Sequence, residues 1–138
     1  MRLSTMGVSM TDSAQSILLL DDEENILRAL RRLLYKDGYK VFIATNAEDA
    51  FELLASHPIQ VVISDQRMPK MSGTEFLSQV KSMYPDTIRM VLSGYADVQA
   101  VNKAIDEGGI HKFMTKPWDD QQLRTEIKQA FQRWAEKE

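Results

Sequence analysis

The sequence has no cysteine among its 138 residues. That excludes disulfides, thiolate-bound zinc, iron–sulfur centres and cysteine nucleophiles, and it fits a reducing, cytoplasmic setting. An excess of one charge is also missing: 17 Lys and Arg stand against 20 Asp and Glu, a formal net charge of -3. No whole-domain electrostatic footprint for direct nucleic-acid binding is expected from that balance. Long apolar runs are missing too. The opening stretch MRLSTMGVSMTDSAQS has none after Arg2, so it reads neither as a signal peptide nor as a membrane span, and no membrane partner is expected. Its Ser, Thr, Gly and Gln content predicts a flexible lead-in over residues 1–16. There is no internal repeat, and no Gly-rich loop after the first apolar run, so a nucleotide fingerprint is lacking. His57 stands before Pro58 in a loop and His111 near the start of a strand, which makes them no metal or catalytic pair.

What is present is enough for one domain: 43 % hydrophobic and 27 % charged residues over this length can bury a single core. Short apolar runs alternate with amphipathic segments, the mark of βα units on a parallel sheet. Strands are predicted at 17–20, 39–44, 59–64, 88–92 and 110–114. Between and after them, helical stripes are formed by Ile26, Leu27, Leu30, Leu33 and Leu34, then by Ala47, Ala50, Phe51 and Leu54. Further stripes are Phe76, Leu77, Val80 and Met83; Val98, Val101, Ala104 and Ile105; and Leu123, Ile127, Ala130, Phe131 and Trp134. Asn46 and Asp97 read as helix caps, and Gly38, Gly108 and Gly109 as stops. Strict alternation with right-handed crossovers predicts an α/β, doubly wound parallel sheet. Periodicity alone leaves the strand order open.

Polar residues interrupt these strands always at the same end. Asp21 and Asp22 follow the first strand, Asp65 the third, Ser93 the fourth and Lys116 the fifth. The carboxyl ends of a parallel sheet share one rim, and ligands bind in the crevice there. Three carboxylates gathered in it repel one another unless a cation joins them, and oxygen-only ligands suit Mg2+, with Mn2+ as substitute. Lys116 adds a mobile positive charge. With the metal bound, Asp65 can act as an oxygen nucleophile toward an activated phosphoryl group, Ser93 and nearby amides donating to its oxygens. Phosphotransfer and the binding of a phosphorylated small molecule both remain open on these residues.

The stretches ILLLDDEENI (17–26), VVISDQRMPKMSG (61–73), MVLSGYAD (90–97) and KFMTKPW (112–118), in this order and spacing, resemble the receiver domain of bacterial two-component response regulators. The resemblance runs from Ile17 to about Trp134. It implies a flavodoxin-like sheet of strand order 2-1-3-4-5 flanked by five helices, a receiver domain over 17–138, and a last helix that continues into a linker toward an output domain. It implies that Asp65 is the phosphoacceptor, that Asp22 and Asp65 ligate Mg2+ directly, that Asp21 acts through water, and that Arg67 contributes its backbone carbonyl. Ser93 and Lys116 match the phosphoryl-contacting pair, Ser93 and Phe113 the switch pair, and Gly94 and Tyr95 flank the site. Phe113 stands where tyrosine is common, so its switching uses packing without a hydroxyl, and Ser93 replaces a frequent threonine. The implied partners are a sensor histidine kinase or phosphotransfer protein, and a second copy joined through the fourth helix, fifth strand and fifth helix. Self-catalysed phosphotransfer and autodephosphorylation are the only chemistry implied.

Two rival readings remain. A degenerate receiver would bind partners independently of phosphorylation, although Asp22, Asp65, Ser93 and Lys116 are all retained. A small-molecule phosphatase with an Asp nucleophile would want a second acid two residues on, where Arg67 stands. The wording SDQRMP and TKPW is similar to receivers attached to cyclic-dinucleotide phosphodiesterases, to hydrogenase-type transcriptional regulators, or within hybrid kinases.

Overall fold

The computed structural model describes residues 14–94 and 98–136. The strands are β1 (Ser16–Leu20), β2 (Lys40–Ala44), β3 (Val61–Ser64), β4 (Ile88–Ser93) and β5 (Lys112–Thr115). The helices are α1 (Glu24–Lys36), α2 (Ala47–Ser56), α3 (Gly73–Met83), α4 (Val98–Asp106) and α5 (Asp120–Ala135). Ser16 already belongs to β1, one residue earlier than the apolar run suggests, while residues 1–13 of the expected lead-in lie outside the described residues.

All five strands pair in parallel in the order β2-β1-β3-β4-β5, as the resemblance implies. The register aligns Leu20 with both Ala44 and Ser64, Ser64 with Val91, and Ser93 with Thr115. Each polar residue that follows a strand is thereby delivered to one rim. Side chains alternate across the sheet. Ile17, Leu19, Ile63, Met90 and Leu92 face a core completed by Leu27, Leu30 and Leu34 of α1 and Leu123, Ile127 and Phe131 of α5. Leu18, Leu20, Val62 and Val91 face the opposite core, built on Ala50 and Leu54 of α2, Phe76, Leu77 and Val80 of α3, and Val101 of α4. The chain leaves β1 toward one side of the sheet for β2 and returns to the other side for β3. That reversal opens the crevice between them.

Helix starts are set by side chains that accept orphan amides. The Asn46 side chain accepts from the Asp49 amide at 2.8 Å, and Asp119 from the Gln122 amide at 2.9 Å. At α3, Ser72 and Glu75 form a reciprocal capping box. The Asp97 cap expected for α4 lies outside the described residues.

Three local expectations are corrected. Met83 and Ile105, placed inward by their helical stripes, are 52 % and 40 % exposed, because both sit in the last turn of a helix, past the cover of the neighbouring layer. The third strand pairs only from Val61, although the Gln60 amide already donates to the Ser16 carbonyl. The fifth strand begins at Lys112, two residues late, because the segment before it wraps around Arg89.

Arg89 is 3 % exposed in a strand that is otherwise apolar up to its terminal Ser93. Its guanidinium donates to the carbonyls of Gly109 at 3.0 Å, Gly108 at 3.2 Å and Thr87 at 2.7 Å, tying the end of α4 to the start of β4. Gly108 makes that turn with φ of +80°, a conformation a side chain would strain. The Arg89 amide donates to His111 Nδ1 at 2.9 Å, so the imidazole is an acceptor there and neutral. Burial, then the charges of Arg89, Arg133 and Lys81, push His111 down to about 4 from 6.5. A histidine with a lowered folded value is protonated first in the unfolded chain, so its share of stability is complete above pH ~6.5 and is lost as pH falls toward ~4. After discounting for its partial exposure, about 1–2 kcal/mol is expected to disappear over that window. His111→Asn keeps an acceptor without the titration and is expected to flatten the pH dependence of urea unfolding there; an unchanged slope refutes this.

Candidate functional site

β1, β3 and β5 deliver their charged residues to one crevice because each strand ends there in register. The Asp21 amide is held by the Ala44 carbonyl at 3.2 Å and the Asp65 amide by the Leu20 carbonyl at 2.8 Å, so the sheet ladder runs into the site. Asp21 and Asp65 are 3 % and 7 % exposed, while Asp22 faces solvent. Carboxylate oxygens of Asp21, Asp22 and Asp65 lie within 4.8 Å of one another. Such a set, oxygen only and with two of its three residues buried, fits a hard divalent cation.

Lys116 reaches this cluster from beyond β5. Its Nζ lies 2.7 Å from Asp21 Oδ2, 3.5 Å from Asp65 Oδ1 and 3.3 Å from Glu23 Oε1. Its backbone amide donates to the Ser93 carbonyl at 3.0 Å, joining the ends of β4 and β5. Burial is the strongest influence on Asp21 and lifts its carboxyl above the usual carboxylate range, although Lys116 and the Glu23 amide, at 2.9 Å, pull it back. Burial disfavours the Lys116 ammonium as well, but the Asp21, Asp65 and Glu23 carboxylates together outweigh it and raise its pKa. The pocket therefore holds excess negative charge around one cation.

Ser93 ends β4 at 2 % exposure, and Gly94 lies against the aliphatic stem of Lys116. Phe113 is half-buried on β5 opposite Val91, packed on the α2–α4 side of the sheet. Arg67 is exposed in the loop after Asp65, and Tyr95 lies outside the described residues. His57 packs tilted against Phe42 with ring centroids 4.4 Å apart, away from the carboxylates, and His111 serves Arg89 at the other end of β4.

Two contributors escape a reading of the sequence. Glu23 looks like part of a helix-start acidic run, yet it is a third carboxylate on Lys116, beside Asp21 and Asp65. Gln66 looks like a solvated loop residue, yet it is 6 % exposed and bonded to Thr74 through both ends of its amide, at 2.9 and 3.2 Å. The only signal for it was a polar residue directly after the strand-end aspartate.

Comparison with known proteins agrees with this geometry. The family model described as response regulator receiver domain matches residues 17–128. The hydrogenase transcriptional regulatory protein HoxA of Bradyrhizobium diazoefficiens is 40 % identical over 117 residues, which are 85 % of this chain and 24 % of that protein. The chain thus spans about a quarter of the length of this curated relative. Among solved structures, the signal receiver domain of an HD domain-containing protein from Pseudomonas fluorescens matches with a TM-score of 0.86 and 38 % identity, over 90 % of this chain and 99 % of that one. The beryllofluoride-activated NtrC4 receiver domain dimer matches with a TM-score of 0.80 and 29 % identity, over 86 % and 98 %. Sheet order, strand-end acids and family match coincide on the same stretch, and the chain belongs to the response regulator receiver domains.

Proposed function

We propose that this receiver domain is a phosphorylation-dependent switch in which Asp65 takes a phosphoryl group from a phosphohistidine of a sensor histidine kinase or phosphotransfer protein. The observation that carries the reading is the Lys116 ammonium set between the buried Asp21 and Asp65 carboxylates, with Asp22 beside them. An Asp65 oxygen forms the new O–P bond as the P–N bond breaks, and the electron pair leaves with the imidazole nitrogen, which takes up a proton. Water attack on phosphorus later releases inorganic phosphate and restores the carboxylate. Lys116, already within reach of Asp65, neutralises a phosphoryl oxygen, and the Ser93 hydroxyl donates to another. Mg2+, or Mn2+ in its place, supplies further neutralisation of the phosphoryl charge when bound. Asp21, Asp22 and Asp65 would hold it, with the Arg67 carbonyl as a further oxygen donor.

Rotation of Ser93 toward the phosphoryl group and inward movement of Phe113 couple the site to α4, β5 and α5. The likeness to an activated receiver dimer supports pairing of two copies, which we place at that face because the switch reaches it. The share of HoxA left uncovered supports an output domain outside these residues, with a receiver unit that opens at Ser16, where β1 begins.

Intact mass after incubation with acetyl phosphate or phosphoramidate and Mg2+ tests the reading. One added phosphoryl group is expected, labile at alkaline pH, dependent on the metal and absent from Asp65→Asn. Folded protein that forms no metal-dependent adduct with either donor would leave a phosphorylation-independent interaction module instead. Arg67, exposed beside the acceptor, shields the phosphoryl group from water. Arg67→Ala is therefore expected to shorten the phosphoaspartate half-life several-fold, and an unchanged decay in Mg2+ buffer sinks that role.

A further inference from the structure

We propose that Gln66 is a positioning residue for the phosphoryl site: clamped to Thr74, it holds the backbone of residues 66–67 where metal and phosphoryl group meet it. The proposal rests on the reading of Asp65 given above. β3 ends at Ser64, so the sheet does not hold the loop that carries the Arg67 carbonyl and its neighbouring amides. Gln66 does. Its Oε1 accepts from the Thr74 amide at 2.9 Å, its Nε2 donates to Thr74 Oγ1 at 3.2 Å, and its own carbonyl accepts from the Gly73 amide at 2.9 Å. One residue thus closes the base of the loop with three hydrogen bonds.

The clamp is anchored at its far end. Thr74 Oγ1 also lies 3.2 Å from Ser72 Oγ, inside the capping box that starts α3. Because the Thr74 amide can only donate, it fixes which end of the Gln66 amide faces it. At 6 % exposure, the Gln66 amide pays for its burial only while both ends stay bonded, which makes the arrangement a single preferred state. A groove beside this loop, lined by Gln66, Arg67, Met68, Pro69 and Ser72, opens onto solvent, so packing from that side does not replace the clamp.

Gln66→Met keeps the side-chain length and removes both side-chain hydrogen bonds. In the full 138-residue chain, titration calorimetry with magnesium chloride alone is expected to show a Kd raised about tenfold or more, the usual effect of losing a partner that orients a ligand. Adduct formation with acetyl phosphate at saturating Mg2+ is expected to slow as well. Thr74→Ser, which keeps amide and hydroxyl, should match the unaltered protein, while Thr74→Val, which loses the hydroxyl alone, should fall between. If Gln66→Met does not fold, the Thr74 pair carries the test. Unaltered Mg2+ affinity and adduct rate in Gln66→Met, or equal losses in Thr74→Ser and Thr74→Val, overturn the clamp. Absence of an adduct in the unaltered protein overturns the Asp65 reading itself, and the clamp with it.

Discussion

Gly73→Ala is expected to lower the thermal midpoint by about 10 °C and to slow phosphorylation of Asp65. By helix propensity the change should stabilise, since alanine is favoured over glycine in a helix by up to about 1 kcal/mol. Geometry reverses the sign. A Cβ on Gly73 would overlap the Asp65 carbonyl oxygen and come within 3.0 Å of Gln66 Cα. Both obstacles are backbone, and both are held. The Asp65 amide is bonded to Leu20 at 2.8 Å, its carbonyl accepts from Ser64 Oγ at 2.8 Å, and Gly73 itself donates to Gln66 at 2.9 Å. Relief requires either the start of α3 to lift or the peptide after Asp65 to turn, at a cost of about 2–3 kcal/mol. The second route moves the phosphoacceptor. Thermal unfolding by circular dichroism and the rate of mass increase with acetyl phosphate check the two effects, and a neutral or stabilised alanine variant would show that the contact is relieved at little cost.

That contact also marks how far the sequence could be read. Alternation of apolar runs and helical stripes gives the five βα units to within a residue or two, because β1, β3 and β4 are buried on both faces, the edge strands β2 and β5 are still largely apolar, and each helix buries one face. Strand order is another matter. A strand apolar on both faces carries no mark of which neighbour it takes, so 2-1-3-4-5 followed only from the family resemblance. The gathering of Asp21, Asp22, Asp65, Ser93 and Lys116 at one rim is a consequence of parallel pairing and could be foreseen. The residues that support it could not. Gln66, Arg89 and Glu23 are polar residues whose partners lie 8, 20 and 93 positions away, and pattern assigns such residues to solvent. Periodicity likewise assigns Met83 and Ile105 a helix face without saying whether another layer covers it.

Lys116→Met is expected to destabilise the metal-free protein by about 3 kcal/mol at pH 7, and Mg2+ is expected to return most of the loss. The lysine side chain is 11 % exposed and stands 2.7 Å from Asp21 and 3.5 Å from Asp65, which are themselves nearly out of solvent. Removing it leaves two buried carboxylates facing each other, and like charge adds to the burial that already raises Asp21. A carboxyl whose folded pKa is raised binds its proton more tightly in the folded state, so it favours folding at low pH and costs stability as pH rises from the unfolded value through the folded one. The deficit of the variant should therefore be largest near neutrality and narrow as pH falls toward the carboxylate range. A divalent cation supplies the missing positive charge directly, so in EDTA the variant should unfold well below the parent, whereas in millimolar Mg2+ the midpoints should converge. An equal deficit with and without Mg2+, unchanged between pH 7 and the carboxylate range, would mean that Lys116 matters through packing of its stem against Gly94 and not through its charge.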